Sequence, residues 1–354
     1  MESMELFKKM VAVGCRPNVV TYGSLFDGLC KTGKISVAIK LHEEMVNGNG
    51  GFGVICRPNV VSYNIIIDGL CKAGLIEKGK SLFTEMIQRG VDPDVYTYSI
   101  LINGFCLADR IGDARALFDF ITRKGYRADV VCYTILINWY GKNKEVKRAL
   151  YLYREMILEG IRPDVITYST LLTGLFLKGN VKDARNLVGE MRLNGVFPNS
   201  WTYNIFIDGL CKNGCVLEAM ELFNTLVNNK FVVGLEGLSS LIDGLCKTGR
   251  FETAWDLFQK FCLHGNLVPN VVMYTILING LCKIGQLKKA NELLSHMEEK
   301  GCAPDVVTFN TLMFGFLKNN EIPKVVELLH KMAERNRMYN VLSHAVTNEC
   351  QNLS

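Results

Sequence analysis

A stretch of 35 residues, 60–94, reads VVSYNIIIDGLCKAGLIEKGKSLFTEMIQRGVDPD and returns in recognisable form along the chain at nearly constant spacing. A fixed period of this length restricts the fold to an array of like units, each packed on its neighbours, without a central core. In the first half Tyr63, Ile66, Ile67, Leu70 and Cys71 recur at helical spacing and Gly74 follows the last apolar turn, where glycine takes the left-handed conformation that ends a helix. The second half repeats the pattern with Ile76, Gly79, Leu82, Phe83 and Met86 and stops at Gly90, before Pro93. The unit is therefore two antiparallel helices joined by a tight turn, and neither can bury its apolar face without a neighbouring copy. The fold class that follows is all-α, an α-solenoid of stacked helix pairs.

When each repeat is numbered from the first residue of its opening, nine begin, at Val19, Val60, Val95, Val130, Val165, Ser200, Leu235, Val271 and Val306. Residues 1–18 fit the second half of a tenth, with Met4, Leu6, Phe7 and Met10 as its apolar face, so 1–340 reads as one array and 341–354 as a tail without repeats. A start in mid-repeat is what a fragment or a truncated copy would show. Seven of the eight prolines (Pro17, Pro58, Pro93, Pro163, Pro198, Pro269, Pro304) fall at position 34, between helices, and Pro323 falls in the first turn of a second helix. Position 20 is Ala or Gly in every repeat but the last, which has Val325, so the two helices of a repeat can approach closely. Glycines at positions 10, 15 and 31 read as helix stops. Extra residues at 48–54, rich in Gly and Asn, read as a surface loop, and one more residue is inserted near Leu267.

An apolar content of 49% with 10% aromatic residues excludes a disordered chain, and no run of 18 apolar residues suggests a membrane span. The net charge of +5 is mildly basic. Of 13 cysteines, Cys30, Cys71, Cys106, Cys211, Cys246 and Cys282 share position 12 on an apolar helix face, and read as small core residues of a reducing compartment. Cys211 and Cys215 lie four apart, but Cys211 belongs to that core series. None of His42, His264, His296, His330 and His344 stands in a zinc or metalloprotease spacing, the phosphate-loop and GxSxG signatures are missing, and no glycine-rich stretch joins a strand to a helix as a dinucleotide fingerprint does. The sequence thus offers no catalytic constellation, metal site or cofactor site. The opening MESMELFKKM has neither a secretory apolar core nor the composition of an organelle transit peptide.

The segments VVSYNIIIDGLCKAG at 60, SWTYNIFIDGLCKNG at 200 and VVMYTILINGLCKIG at 271, with helix ends such as EMIQRGVDPD and EMILEGIRPD, resemble the pentatricopeptide repeat family. The recurrent DGLCK is similar to its plain 35-residue class and to the plant fertility-restorer branch. The resemblance implies a right-handed superhelix that binds single-stranded RNA, about one base per repeat. It implies that positions 5 and 35 select the base: Asn64 with Asp94, Ser99 with Asp129, Thr134 with Asp164, Ser169 with Asn199, Ser239 with Asn270, Thr275 with Asp305, and Asn310 with Asn340. Read from the 5′ end, these pairs spell U, G, G, A, any base, A, G and a pyrimidine, the unread place belonging to Asn204 with Gly234. Position 2 side chains, Val61, Tyr96, Val131, Ile166, Trp201, Val272 and Val307, would sandwich the bases. Gly23 and Gly234 lack a side chain, so the first and sixth repeats cannot read a base in the manner of the family, and with Glu236 putting a carboxylate at position 2 of the seventh and Val233 replacing the usual proline, the region 230–239 departs from the pattern of an RNA site.

The residue types agree with that assignment. Asn, Ser and Thr beside Asp or Asn offer short hydrogen-bonding pairs suited to base edges. The competing reading is that residues of these types near helix starts are caps. Position 13 carries Lys31, Lys72, Lys142, Lys212, Lys247, Lys283 and Lys318, a ladder for phosphates or a set of solvated charges at helix C-termini. The expected function is sequence-selective binding of organellar transcripts in their processing, stability or translation, in mitochondria first and chloroplasts second. The expected protein is a monomer, no enzyme itself, with protein partners supplying catalysis. A protein-binding scaffold and a non-functional truncated copy are the alternatives.

Overall fold

The computed structural model describes residues 2–47, 57–126, 128–231, 234–263 and 267–334. The described residues contain helices and no strands. The insertion at 48–54, Val233, His264, Asn340, His344 and the tail at 341–354 lie outside them.

The chain divides into two bodies, Met1–Lys178 and Gly179–Ser354. The first holds α1 (Glu2–Ala12), α2 (Val19–Lys31), α3 (Ile35–Asn47), α4 (Val60–Lys72), α5 (Ile76–Gln88), α6 (Val95–Leu107), α7 (Ile111–Arg123), α8 (Val130–Lys142), α9 (Val146–Leu158) and α10 (Val165–Leu177). The second holds α11 (Val181–Leu193), α12 (Ser200–Lys212), α13 (Val216–Asn228), α14 (Leu235–Lys247), α15 (Phe251–Phe258), α16 (Val271–Lys283), α17 (Leu287–Glu299) and α18 (Val306–Lys318), followed by a helix over 322–334. Each body is an all-helical solenoid. First helices pack on the first helices of adjoining repeats, α2 on α4, α4 on α6, α6 on α8 and α8 on α10, then α12 on α14, α14 on α16 and α16 on α18.

The turns repeat as the chemistry requires. After α4, the Gly74 N–H donates to the Cys71 carbonyl at 3.1 Å and the Leu75 N–H to the Leu70 carbonyl at 2.9 Å, closing the helix with the left-handed residue at Gly74. Positive φ recurs at positions 15 and 31, and where glycine is missing there Asp109, Lys144, Lys230 and Asn320 adopt it. Position 10 behaves differently from the expectation. Gly69, Gly104, Gly174, Gly244, Gly280 and Gly315 lie inside first helices and stop nothing.

Their role is close approach. A Cβ at Gly104 would stand 2.8 Å from the Cβ of Cys71, one at Gly244 2.8 Å from that of Cys211, and one at Gly315 2.7 Å from that of Cys282. Position 12 of one repeat thus nests against position 10 of the next. Where position 12 is Gly141, a Cβ at Gly174 would meet the Gly141 Cα at 2.8 Å. The small residues at position 20 are buried throughout the described repeats, as their size implied, and Val325 is also buried.

A second seam joins neighbours through aromatic edges. Position 24 of one repeat meets the position 4 tyrosine of the next in Phe83–Tyr98, Phe118–Tyr133 and Phe258–Tyr274, with ring centroids 5.8, 4.9 and 5.7 Å apart. His42 takes that place against Tyr63 at 4.9 Å. In α1, Phe7 is buried but Leu6 is exposed, so Leu6 does not belong to the apolar face expected for 1–18. The extra residue expected near Leu267 follows a π-helical turn, Gln259–Leu263, that continues α15.

Candidate nucleic-acid interface

The residues assigned to base selection gather at the N-termini of first helices. Position 35 is the N-cap: Asn59, Asp94, Asp129, Asp164, Asn199, Asn270 and Asp305 each accept the backbone N–H of the third helical residue. The capping reading therefore holds at these positions. Every such bond is made through Oδ1, for example Thr97 N to Asp94 at 2.7 Å and Met273 N to Asn270 at 3.0 Å. Capping leaves Oδ2 of an aspartate, or Nδ2 of an asparagine, outside the cap. Partial burial pushes the Asp94 carboxyl up, but hydrogen bonds from Thr97 and Asn64 outweigh it and hold the group below the usual carboxylate range.

Position 5 lies one helical turn beyond the preceding repeat's own cap, and in three repeats the structure joins it to the next cap, in two ways. Asn64 Nδ2 donates to Asp94 Oδ1 directly at 3.4 Å. Thr134 reaches Asp164 through Thr167, with 2.9 Å between the hydroxyls and 2.9 Å from Thr167 Oγ1 to Asp164 Oδ1. Thr275 reaches Asp305 through Thr308 in the same manner, at 2.8 and 2.9 Å. Ser99 instead donates to its own helix, at the Tyr96 carbonyl, 2.8 Å away. Ser169 and Ser239 are buried, and Asn310 is exposed. The amide oxygens of Asn64 and Asn204 are buried without a hydrogen-bond partner.

Position 2 is exposed at every apolar site: Val61, Tyr96, Val131, Ile166, Trp201, Val272 and Val307, with Trp201 65% and Tyr96 59% accessible. A large apolar side chain held out at one place in each repeat is unlike the buried faces around it. Glu236, the exception, folds over Gly234, its Oε2 2.8 Å from where a Cβ would stand, in the space of the missing position 35 side chain.

The lysines of position 13 divide into two groups. Lys31, Lys72, Lys212 and Lys247 pair with Asp27, Asp68, Asp208 and Asp243 at position 9, at 2.6 to 2.8 Å. Lys142 and Lys283 face Asn138 and Asn279 in the sequence and make no ion pair among the described residues, while Lys318 lies 4.8 Å from the Phe314 ring. Four of the seven cations are thus locally neutralised, a point the sequence reading missed although the Asp of DGLCK stands four residues before each Lys. The exposed pairs are weak, worth about 0.2–1 kcal/mol, and exchangeable for a phosphate. Position 3 hydroxyls were likewise overlooked; their recurrence as Thr21, Ser62, Thr97, Thr167, Thr202 and Thr308 was the available signal.

One cleft of about 660 Å³ in the first body brings together residues of positions 2, 5, 13 and 35. It is lined by the position 2 side chains Val61 and Tyr96, the pair Asn64 and Asp94, and the ion pairs Asp27–Lys31 and Asp68–Lys72. Among the described residues no group of His, Cys, Asp and Glu could hold a metal ion, and no helix is long and apolar enough to cross a membrane.

Stacked 35-residue helical hairpins with capped, polar first-helix N-termini define an α-solenoid repeat protein. The chain belongs to the pentatricopeptide repeat family: profiles of the PPR repeat family match residues 58–107, 128–177, 170–212, 269–318 and 304–346, and profiles of the PPR repeat match 13–46, 96–126, 201–231 and 238–266. No curated protein sequence matches it. Among solved structures it is similar to the pentatricopeptide repeat protein PPR10 in complex with an 18-nt psaJ RNA element, at 22% identity and a TM-score of 0.59, over 94% of this chain and 53% of that one. A second structure of that complex, with three cysteines of PPR10 replaced by serine, gives the same values. The structure of PPR10 from maize matches at 21% identity over 95% of this chain and 66% of that one, with a TM-score of 0.33. The likeness is one of fold, and the chain spans about half the length of PPR10 in its RNA complex.

Proposed function

We propose that the chain binds single-stranded RNA along its first-helix N-termini, selecting about one base per repeat. The observation that carries this reading is the cleft in which Val61 and Tyr96 stand exposed beside Asn64 and Asp94. Apolar and aromatic side chains pack on base faces, and the polar pair meets a base edge. The structure of PPR10 in complex with an RNA element supports it.

The cap geometry supplies a physical rule for position 35. An aspartate presents Oδ2, an acceptor, and favours bases whose Watson–Crick edge offers a ring N–H, uracil and guanine. An asparagine presents Nδ2, a donor, and favours adenine and cytosine, whose ring nitrogen accepts. This agrees with U for Asn64 and Asp94, G for Thr134 and Asp164, and A for Ser169 and Asn199. The proposed target is the sequence U, G, G, A, any base, A, G, pyrimidine, with Lys142 and Lys283 as the least encumbered phosphate contacts. We further propose that the targets are organellar, mitochondrial first, and that partner proteins supply any catalysis; sequencing of RNA cross-linked to the protein in cells tests the first point.

The test is a binding titration against this RNA and variants at the third base. Thr134→Asn should move preference there from G toward U, by about the 1–3 kcal/mol that a good base contact discriminates. Affinity should fall with salt at a log-log slope of about −0.7 per phosphate contacted. Equal affinity of both proteins for both RNAs, with the helices intact by circular dichroism, would refute base selection by this repeat. Salt-independent binding would favour a protein-binding scaffold.

A further inference from the structure

The hydrogen-bond chain from Thr134 through Thr167 to Asp164 has only one consistent direction. The Asp164 carboxylate accepts and cannot donate, so the single hydroxyl proton of Thr167 points to its Oδ1, 2.9 Å away. Thr167 then meets Thr134, at 2.9 Å, only as an acceptor, and the proton of Thr134 is committed inward. What Thr134 has left for a ligand is lone pairs. Thr167 is completely buried, which holds the arrangement in place.

We infer that Thr167 is a positioning residue for base selection: it fixes Thr134 as a hydrogen-bond acceptor, so that the Thr134 and Asp164 pair presents two acceptors. The inference rests on the proposed RNA reading and deepens it. Guanine is the base with two adjacent donors on its Watson–Crick edge, N1–H and the N2 amino group, and two acceptors answer them. Adenine offers a ring acceptor beside its amino donor, and meets the pair with one acceptor against another. The repeat thus gains its preference from a residue that belongs to the following repeat and need not touch the RNA.

The second copy of the relay supplies an internal comparison. Thr275 faces Thr308 at 2.8 Å, but its hydroxyl also lies 2.8 Å from the Val271 carbonyl of its own helix. Its proton has an inward acceptor whether or not Thr308 is present. Removal of the hydroxyl at 308 therefore has less to change than removal at 167.

The experiment uses the full chain and RNAs differing only in G or A at the third or the seventh base. In Thr167→Val the proton of Thr134 is released toward the groove, where adenine N1 can take it while the adenine amino group meets Asp164. The preference for G over A at the third base should drop about tenfold, with the seventh base unaffected. Thr167→Ser should keep the preference, and Thr308→Val should lower that at the seventh base by less. Should Thr167→Val fail to fold, Thr167→Ala removes the same hydroxyl and carries the same expectation. A folded variant that retains the wild-type G to A ratio, whether at full or uniformly weakened affinity, overturns the inference. A wild-type protein without preference at the third base overturns the RNA reading itself, and the inference with it.

Discussion

Two chemically identical substitutions measure the close approach of first helices. In Gly174→Ala the new Cβ would lie 2.8 Å from the Gly141 Cα, 3.4 Å from its carbonyl carbon and 3.5 Å from its carbonyl oxygen. These are backbone atoms, which no rotamer change can move. Ordinary carbon contacts are about 3.5–4.0 Å, so α10 has to leave α8 by roughly 0.7 Å or more, and a gap of that size forfeits about a quarter to a half of each contact's attraction. The overpacking cost is about 1–3 kcal/mol, against about 1 kcal/mol gained in helix propensity. In Gly28→Ala, at the same position of an earlier repeat, nothing lies within 4 Å of the new Cβ, and only the gain remains. The propensity term cancels between the two, so Gly174→Ala should be less stable than Gly28→Ala by about 1–3 kcal/mol. Urea unfolding of both proteins and the wild type, followed by circular dichroism, decides it. A midpoint for Gly174→Ala at or above that of Gly28→Ala would refute the contact.

Ala149→Leu should destabilise the chain by about 1–3 kcal/mol, because Ala149 is fully enclosed at the junction of its helix pair; an unchanged melting temperature counts against that packing. Burial pushes the Cys71 and Cys246 thiols up to about 12 from 9.0, so both should resist alkylation in the native protein and react after unfolding, while exposed Cys15 labels at once. Because the folded state holds these protons longer, the stability they contribute is complete below about pH 9 and is lost as pH rises toward about 12, which alkaline unfolding curves can follow. Burial lowers the His42 value from 6.5, with Glu85 opposing and Arg89 assisting, so the unfolded state binds the proton more tightly and stability should fall as pH drops through 6.5. His42→Phe, which restores the aromatic residue of the other seams, should remove this part of the acid sensitivity; identical pH profiles for both proteins would show that His42 has no part in it.

The hairpin, the period and the buried series at position 20 were legible because they depend on burial alone, and burial imposes a spacing; of the position 12 cysteines Cys71, Cys246 and Cys282 are buried, whereas Cys30, Cys106 and Cys211 are half-buried. The position 10 glycines were misread because one residue type serves two opposite ends. At Gly74 the missing side chain permits a positive φ, whereas at Gly104 it admits Cys71 of the neighbouring repeat to a helix that continues unbroken. The clue was arrangement: the position 10 glycines stand inside the apolar stripe, two residues before its cysteine. The pairing of four ladder lysines was not read for a related reason, since a charge in a sequence is visible but its neutralisation by Asp27, Asp68, Asp208 or Asp243 depends on which rotamers meet.

Position 35 joins the fold to the proposed function. Capping and base selection compete when they are read from sequence, because both call for Asp or Asn. In three dimensions the cap uses one atom of the side chain and leaves the other for the proposed base contact. Oδ1 is fixed by the backbone N–H of the following first helix, as at 2.8 Å between Thr167 N and Asp164, and this bond takes away the rotational freedom that an exposed carboxylate would lose on meeting a base. The cap thereby preorganises Oδ2 or Nδ2. It also places that atom at the same point of every capped repeat, so that the period of the helices would set the period of the proposed recognition. Gly234 is the informative exception: its backbone keeps the extended conformation of a cap residue, φ −74° and ψ 175°, yet no side chain closes α14. At that repeat the scaffold persists while the fixed polar atom is gone, and selectivity should lapse there without a break in the array.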